Sequence, residues 1–229
     1  MIYDEIALWG LTDKSSEQEI WEQIFSIFRK MGGRASISTV KDGKPQTRII
    51  SLQRMSDGNI YLMTSRGKPF YRQLKENPWI AAGSLLEDTH HSLRINARAE
   101  ECTDPAIYAE YAATNPGTMR MYRHNTDLIV LFRLAAGHGE ILHLYRDDMV
   151  RRLRFGFGGE TPPPLTYYMT DDCIGCGACY DHCAERSIER TANGKYRIRP
   201  MDCDDCGICY TKCPLAGKAM ICRLEKSNG

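Results

Sequence analysis

The chain has 229 residues, a formal net charge of +1 and 42% hydrophobic residues. That length fits one large domain or two modest ones with a buried core, and so small a net charge argues against nucleic acid as the partner. No apolar run is long enough to span a bilayer as a helix, and the opening MIYDEIALWGLTDKSSEQEI has acids where a secretory signal would have basic residues followed by an apolar stretch, so a cytoplasmic protein is expected.

Residues 1–150 read as one unit. SSEQEIWEQIFSIFRKMGG predicts a helix: Ser16 and Glu19 form a capping-box pattern, and Ile20, Ile24, Ile27, Phe28 and Met31 recur on one face. Gly32 and Gly33 end it. ASISTV, QTRIISLQRM, NIYLMTS, WIAAGSLL and SLRINARAEE then read as strands, with hairpin-turn chemistry in KDGK and SDGN. FYRQLKENP is a short helix stopped by Pro78. TDPAIYAEYAATNPG is another, with Thr103 as its cap and Pro105 near its first turn. DLIVLFRLAAGHGEILHLY gives two more strands, and many short strands with a few interposed helices predict a small β-barrel.

RDDMVRRLRFGFGGETPPP is basic, then glycine-rich, then a proline triplet. It reads as a linker, placed at 151–164; a basic face toward a phosphate or an acidic partner is the alternative. GFGG lacks the spacing and the strand–helix context of a dinucleotide loop. Residues 165–229 hold an internal repeat, each copy a short strand, a cysteine loop and a short helix.

Eight of the ten cysteines fall in two runs, CIGCGACYDHC from Cys173 and CDDCGICYTKC from Cys203. Cys102 and Cys222 stand apart and are expected to be buried or incidental thiols. Each run reads C-x-x-C-x-x-C-x-x-x-C. Structural zinc sites place a longer spacer between two ligand pairs, whereas this spacing is that of 4Fe–4S runs of the bacterial ferredoxin kind. In such runs the fourth cysteine ligates the other cluster, a rule of the pattern. Applied here, Cys173, Cys176, Cys179 and Cys213 hold one 4Fe–4S cluster, and Cys203, Cys206, Cys209 and Cys183 hold the other. Gly177 and Gly207 follow the second cysteine of each run, where a missing side chain lets backbone N–H groups turn toward cluster sulfur. The segment resembles two-cluster ferredoxins over its whole length. It departs from them at Ala184, where the family has proline; Pro214 keeps the pattern.

In the first unit, TSRGKPFYRQL is the best phosphate candidate. Thr64 and Ser65 end an apolar strand, Arg66, Gly67 and Lys68 make a basic loop, and Pro69 opens a helix whose first N–H groups are free. An ordinary helix start with solvated cations is the competing reading. KDGKPQTRIISL, NIYLMTSRGKPFYRQLKENPWIAAG and SLRINARAE together resemble the pyridoxamine-5′-phosphate-oxidase-like split-barrel family across residues 15–145. The resemblance implies FMN bound at a homodimer interface. By position, Arg48, Ile49 and Ile50 would lie along the flavin ring and ribityl chain, and Met63, Thr64 and Ser65 would border ring and phosphate. Lys68 would bind phosphate with Arg66 as a weaker candidate, and Arg94 and Asn96 would add contacts. Ile49, Ile50 and Met63 are equally readable as barrel core. His90 and His91 read as a turn before a strand, not as haem ligands. No segment corresponds to the substrate-binding C-terminus of true pyridoxamine-phosphate oxidases, so vitamin chemistry is not implied.

The expected fold is thus a mainly β split barrel with flanking helices, followed by a small α+β ferredoxin-like two-cluster domain. The expected function is an FMN- and iron–sulfur-dependent oxidoreductase working with a ferredoxin or other one-electron partner and a small-molecule substrate. A non-catalytic electron carrier or redox sensor, and a flavin reductase, are the rivals.

Overall fold

The computed structural model describes residues 14–30, 33–86, 91–143, 151–200 and 203–224. Among these the chain forms two compact units: 16–141 with 155–162, and 142–154 with 163 onward.

In the first unit, helix α1 (Glu17–Lys30) starts at the predicted box: the Ser16 N–H donates to Glu19 Oε2 at 2.7 Å and the Glu19 N–H to Ser16 Oγ at 3.2 Å. Ile20 and Ile24 on its apolar face are buried. Strands β1 (Arg34–Lys41) and β2 (Lys44–Arg54) form a hairpin, and Asp42 and Gly43 between them take φ of 52° and 71°, as a tight hairpin turn requires. β3 (Ile60–Ser65), α2 (Pro69–Glu76), β4 (Trp79–Leu86) and β5 (His91–Glu101) follow. The side chains of Ile27, Phe28 and His91, and all of Met31, Gly32 and His90, lie outside the described residues.

Two helices, α3 (Pro105–Thr114) and α4 (Pro116–Met121), replace the single helix expected. Pro116 opens the second one. The cap of α3 is Asp104, not Thr103: its carboxylate accepts from the Ala106 N–H at 2.8 Å. With Pro105 at the first helical position, the residue just before it takes the cap.

β6 (Ile129–His143) is one continuous strand of 15 residues where two were expected. Its glycines are not breaks. A Cβ at Gly137 would lie 2.2 Å from the Asn96 carbonyl oxygen, and one at Gly139 would lie 2.4 Å from that of Arg94. Glycine is the residue that lets β6 pass so close to β5.

β7 (Arg151–Phe157) corrects the linker reading. Leu153, Phe155 and Phe157 alternate along it and are buried, with Phe155 and Phe157 edge-on to Trp21 at 6.0 and 4.6 Å. Their alternation is the period of a strand; the flanking basic and glycine residues masked it. Residues 146–150 of that linker fall outside the described residues.

The sheet order is β3-β2-β1-β4-β5-β6-β7, and a further β3–β6 pairing closes the first six strands into an antiparallel barrel. Ile37, Leu62, Leu93, Ile95, Leu131 and Phe132 are among its most deeply buried side chains.

The second unit contains two small hairpins and two short helices. β8 (Tyr167–Met169) pairs with β11 (Met220–Cys222), and β9 (Ile188–Arg190) pairs with β10 (Tyr196–Ile198), all antiparallel. Helices α5 (Ala178–Asp181) and α6 (Ile208–Lys212) follow the cysteine loops. The packed centre is Cys179, Ile188, Cys209 and Met220.

Candidate functional site

The cysteines come together in crossed sets. One cavity is bordered by Cys173, Cys176, Cys179 and Cys213; another by Cys203, Cys206, Cys209 and Cys183. Each set takes three residues from one run and the last from the other. The cause is local. Gly177 and Gly207 cap α5 and α6 with φ of 82° and 80°, a left-handed conformation that turns the chain from loop to helix. The third and fourth cysteines of a run then lie on or just beyond a helix of about one turn, and diverge.

Matching aromatic pairs flank the loops, Tyr180 on Tyr196 at 5.5 Å and Tyr167 on Tyr210 at 5.8 Å. The two cavities differ in chemistry. Met169, Ile174, Pro214, Leu215 and Met220 border the first, while Glu185, Ser187, Asp204 and Asp205 border the second. Hydrogen bonds reach sulfur in the second set: the Asp205 N–H donates to Cys203 Sγ at 3.3 Å and the Ser187 N–H to Cys183 Sγ at 3.4 Å.

The residues fit an iron–sulfur group. Burial, with the neighbouring Cys203, pushes the Cys209 thiol up to about 12, and burial also raises Cys179 and Cys203. Thiolates crowded at low solvation need a compensating positive charge, which iron supplies. Among the described residues, no three His, Cys, Asp or Glu side chains close around a single ion; the sulfurs ring a cavity instead of a point. Cys222 is buried and Cys102 half-buried, each outside both cavities.

In the barrel unit the candidate site is the place where two strands part. β2 and β3 pair only from Leu52↔Leu62 to Arg54↔Ile60. Beyond that, β3 continues on β6 as far as Ser65↔Ile129, and β2 continues on β1 as far as Lys44↔Lys41. Arg48, Ile49 and Ile50 therefore lie on one lip of a split, and Met63, Thr64 and Ser65 on the other.

α2 packs where these lips diverge, with Phe70, Gln73 and Leu74 buried. Arg48 Nη1 donates to Thr39 Oγ1 and Nη2 to Gln73 Oε1, both at 2.7 Å, and the guanidinium lies 4.4 Å from the centre of the Phe70 ring. Burial lowers the Arg48 pKa. Thr39, Phe70 and Gln73, which hold Arg48 at the candidate site, were not among the residues singled out from the sequence. A buried glutamine on a polar-looking helix leaves no periodic signal; only its place three residues after Phe70 hints at a shared face.

The other lip has unused capacity. Thr64 is 2% exposed, and its Oγ1 is buried with no hydrogen-bond partner. The Ser65 carbonyl accepts from the Lys68 N–H at 2.9 Å, closing the basic loop. Lys68 caps α2 with no side-chain capping bond. Its Nζ lies 5.7 Å from the centre of the Tyr122 ring and has no ion pair with any described residue. These features fit a phosphate-bearing cofactor.

Other predicted residues are committed elsewhere. Arg66 pairs with Glu101 at 3.0 Å and donates to Tyr71 Oη at 2.9 Å. Arg94 pairs with Glu140. Met63 packs against the cluster of Met55, Tyr61, Ile107, Tyr111 and Leu131.

Ile49, Ser36, Gly83 and Arg94 are successive partners across β2, β1, β4 and β5, and Ile49 is 67% exposed. Ile49 is therefore outside the barrel core, which removes one of its two readings. Asn96 is likewise exposed, two residues along from Arg94.

Comparison with known proteins agrees with this division. Residues 20–131 match the family described as pyridoxamine 5′-phosphate oxidase, and residues 165–214 match the 4Fe-4S dicluster domain. The chain joins a pyridoxamine-5′-phosphate-oxidase-like split barrel to a ferredoxin-like dicluster domain.

A pyridoxine/pyridoxamine 5′-phosphate oxidase from Chromobacterium violaceum is 26% identical over 113 residues, 48% of this chain and 53% of that protein. A dihydrophenazinedicarboxylate synthase from Pseudomonas chlororaphis is 31% identical over 62 residues, 27% of this chain and 28% of that protein. The chain thus spans about half of one curated relative and about a quarter of the other. A NimC/NimA family protein from Clostridium acetobutylicum shares the fold, with a TM-score of 0.53 at 13% identity over 61% of this chain and 94% of that one.

Proposed function

We propose that the protein is an FMN- and iron–sulfur-dependent oxidoreductase that passes electrons between an external one-electron donor or acceptor and a small substrate. The observation that carries this reading is the crossed gathering of eight cysteines into two cavities, in a chain whose other half is a split barrel with an unsatisfied polar lip. When bound, a flavin exchanges one or two electrons and each cluster exchanges one.

Cys173, Cys176, Cys179 and Cys213 hold one 4Fe–4S cluster; Cys203, Cys206, Cys209 and Cys183 hold the other. Their four-thiolate sets leave no iron open for substrate, so the cysteine unit relays electrons and the barrel holds the site of chemistry. Lys68 and the start of α2 hold the FMN phosphate, with the Thr64 hydroxyl and Ser65 at its edge. Arg48, fixed by Thr39 and Gln73, presents a preset positive charge at the opposite lip. Ile49, Ile50 and Met63 offer apolar contact to the ring.

A second copy of the chain covers the outer face of the barrel. Exposed Ile49, Val40, Leu85 and Trp79 on β2, β1 and β4, at 67, 49, 52 and 40% exposure, support that homodimer.

Anaerobic purification followed by metal, sulfide and flavin analysis tests the cofactor reading. About eight iron and eight sulfide per chain are expected from two cubanes, with FMN released on denaturation. Stoichiometric zinc without sulfide would overturn it. Stopped-flow reduction by a one-electron donor tests the relay: flavin bleaching should follow cluster bleaching in the native chain and lose its fast phase in Cys206→Ser. Equal rates in the two proteins, and in Cys176→Ser, would mean that the clusters are not the route.

A further inference from the structure

The strand that the sequence presented as a linker contributes two arginines to one cysteine loop. Arg154 Nη1 donates to the Pro200 carbonyl at 3.0 Å, and its Nη2 lies 3.4 Å from the Cys203 carbonyl. Arg152, 7% exposed, pairs with Asp204. Both lie in the same compact unit as the cysteine runs. They grip the loop that starts the second set of ligands, and nothing in the repeat predicts them, because they lie outside it.

The other charged groups bordering this cavity are accounted for. The Asp205 carboxylate accepts from the Thr166 N–H at 2.9 Å and the Tyr167 N–H at 3.4 Å. Asp204 is paired with Arg152. Glu185 and His182 complete the polar border. Among the described residues, the first cavity has no Asp, Glu, Lys or Arg side chain along its border. Among the described residues, the charge at the second cavity is thus set by these few groups.

We infer that Arg154, supported by Arg152, is a positioning residue for Cys203 that raises the reduction potential of the cluster held by Cys203, Cys206, Cys209 and Cys183, and of that cluster alone. Reduction adds one negative charge to a cluster. A nearby fixed cation stabilises the reduced form more than the oxidised form and so raises the potential. Holding the Cys203 carbonyl also keeps the turn in which the Asp205 N–H reaches Cys203 Sγ, and hydrogen bonds to cluster sulfur act in the same direction.

The inference rests on the cysteines holding two clusters, and its test separates the two ideas. Iron and sulfide are counted first; a chain without them refutes the cluster reading itself. Full-length protein is then titrated anaerobically with EPR detection. Cys176→Ser and Cys206→Ser show which signal belongs to which cavity.

In Arg154→Gln, the signal lost or altered by Cys206→Ser should fall about tenfold in reduced-to-oxidised ratio at fixed potential, which is ~59 mV for one electron. The other signal should stay in place. Arg154→Lys, which keeps the charge, should recover most of the shift. Two unmoved midpoints, two midpoints moved alike, or a lysine variant as shifted as the glutamine variant would each overturn the inference. If Arg154→Gln loses iron, Arg152→Gln takes its place. That variant unpairs Asp204 and should lower the same midpoint, and an unshifted midpoint there refutes the proposal.

Discussion

Replacing Lys68 by alanine removes a cation that the fold uses only weakly, through its approach to the Tyr122 ring at 5.7 Å. The side chain is exposed, has no ion pair with any described residue, and contributes no capping bond to α2. Its loss should therefore change stability by no more than ~1 kcal/mol, the size of an exposed cation–π contact with Tyr122. A charge-assisted hydrogen bond to phosphate contributes ~1.5–3 kcal/mol. At ~1.4 kcal/mol per tenfold, FMN should bind roughly 10- to 100-fold more weakly, nearer the lower figure in physiological salt because an exposed contact is screened. Arg66→Ala is the internal control. Arg66 already pairs with Glu101, which Lys75 also reaches at 3.0 Å, and a surface pair of this kind contributes ~0–1 kcal/mol. Its removal should leave FMN affinity within about threefold. The assay is fluorescence quenching as apo-protein is titrated with FMN at two ionic strengths, with urea unfolding of each variant alongside. An unchanged dissociation constant for Lys68→Ala, or equal weakening in both variants, would show that the phosphate does not sit at the start of α2.

Other outcomes follow from the same geometry. Cys183→Ser should damage the cluster signal that Cys206→Ser damages, and Cys213→Ser the one that Cys176→Ser damages; the opposite pairing in EPR spectra would refute crossed ligation. Alanine at Gly207 meets the Tyr167 hydroxyl at 2.6 Å, whereas alanine at Gly177 finds only the Tyr196 hydroxyl at 3.4 Å. Both substitutions bear the left-handed penalty of ~1–2 kcal/mol, but Gly207→Ala adds overpacking of ~1–3 kcal/mol, so it should lose its clusters to an iron chelator markedly faster than Gly177→Ala. In the barrel, Gly139→Ala should lower the unfolding free energy by ~1–3 kcal/mol, and the midpoint with it, because its Cβ meets the Arg94 carbonyl. Gly83→Ala, with nothing within 4 Å, should leave the midpoint nearly unchanged.

The parts of the fold that could be read from sequence are those whose cause is local. The Ser16–Glu19 box and the Asp42–Gly43 turn each depend on a few neighbouring residues, and each stands where it was expected; the cysteine spacing is as local a signal, and residues 165–214 match the 4Fe-4S dicluster domain. The misreadings have long-range causes. Gly137 and Gly139 looked like a break because their reason, the approach of β5, is about forty residues away in sequence. β7 looked like a linker because its basic residues and glycines outweighed an alternation of only three buried side chains. In the barrel, the motif positions fall on both lips of the split. They did not show that Arg66 and Arg94 were already committed to Glu101 and Glu140, nor that Gln73 and Thr39 hold Arg48. Such partnerships depend on tertiary packing, which residue type and spacing do not encode.

The hairpins of the cysteine unit have a topological consequence. Its first strand, β8, pairs with its last, β11, with Tyr167 opposite Cys222. The module therefore begins and ends at the same place, like a ring with a small gap. Its polypeptide could be rejoined there through a short bridge and reopened at the tight bend between Thr191 and Lys195, where the Thr191 carbonyl accepts from the Gly194 N–H at 2.9 Å. The resulting permutant would carry the Cys203 run ahead of the Cys173 run with every crossed contact retained. Grafted onto a host chain at that one seam, such a ring would keep both cysteine runs but leave behind Arg152 and Arg154, which hold the Cys203 loop from β7.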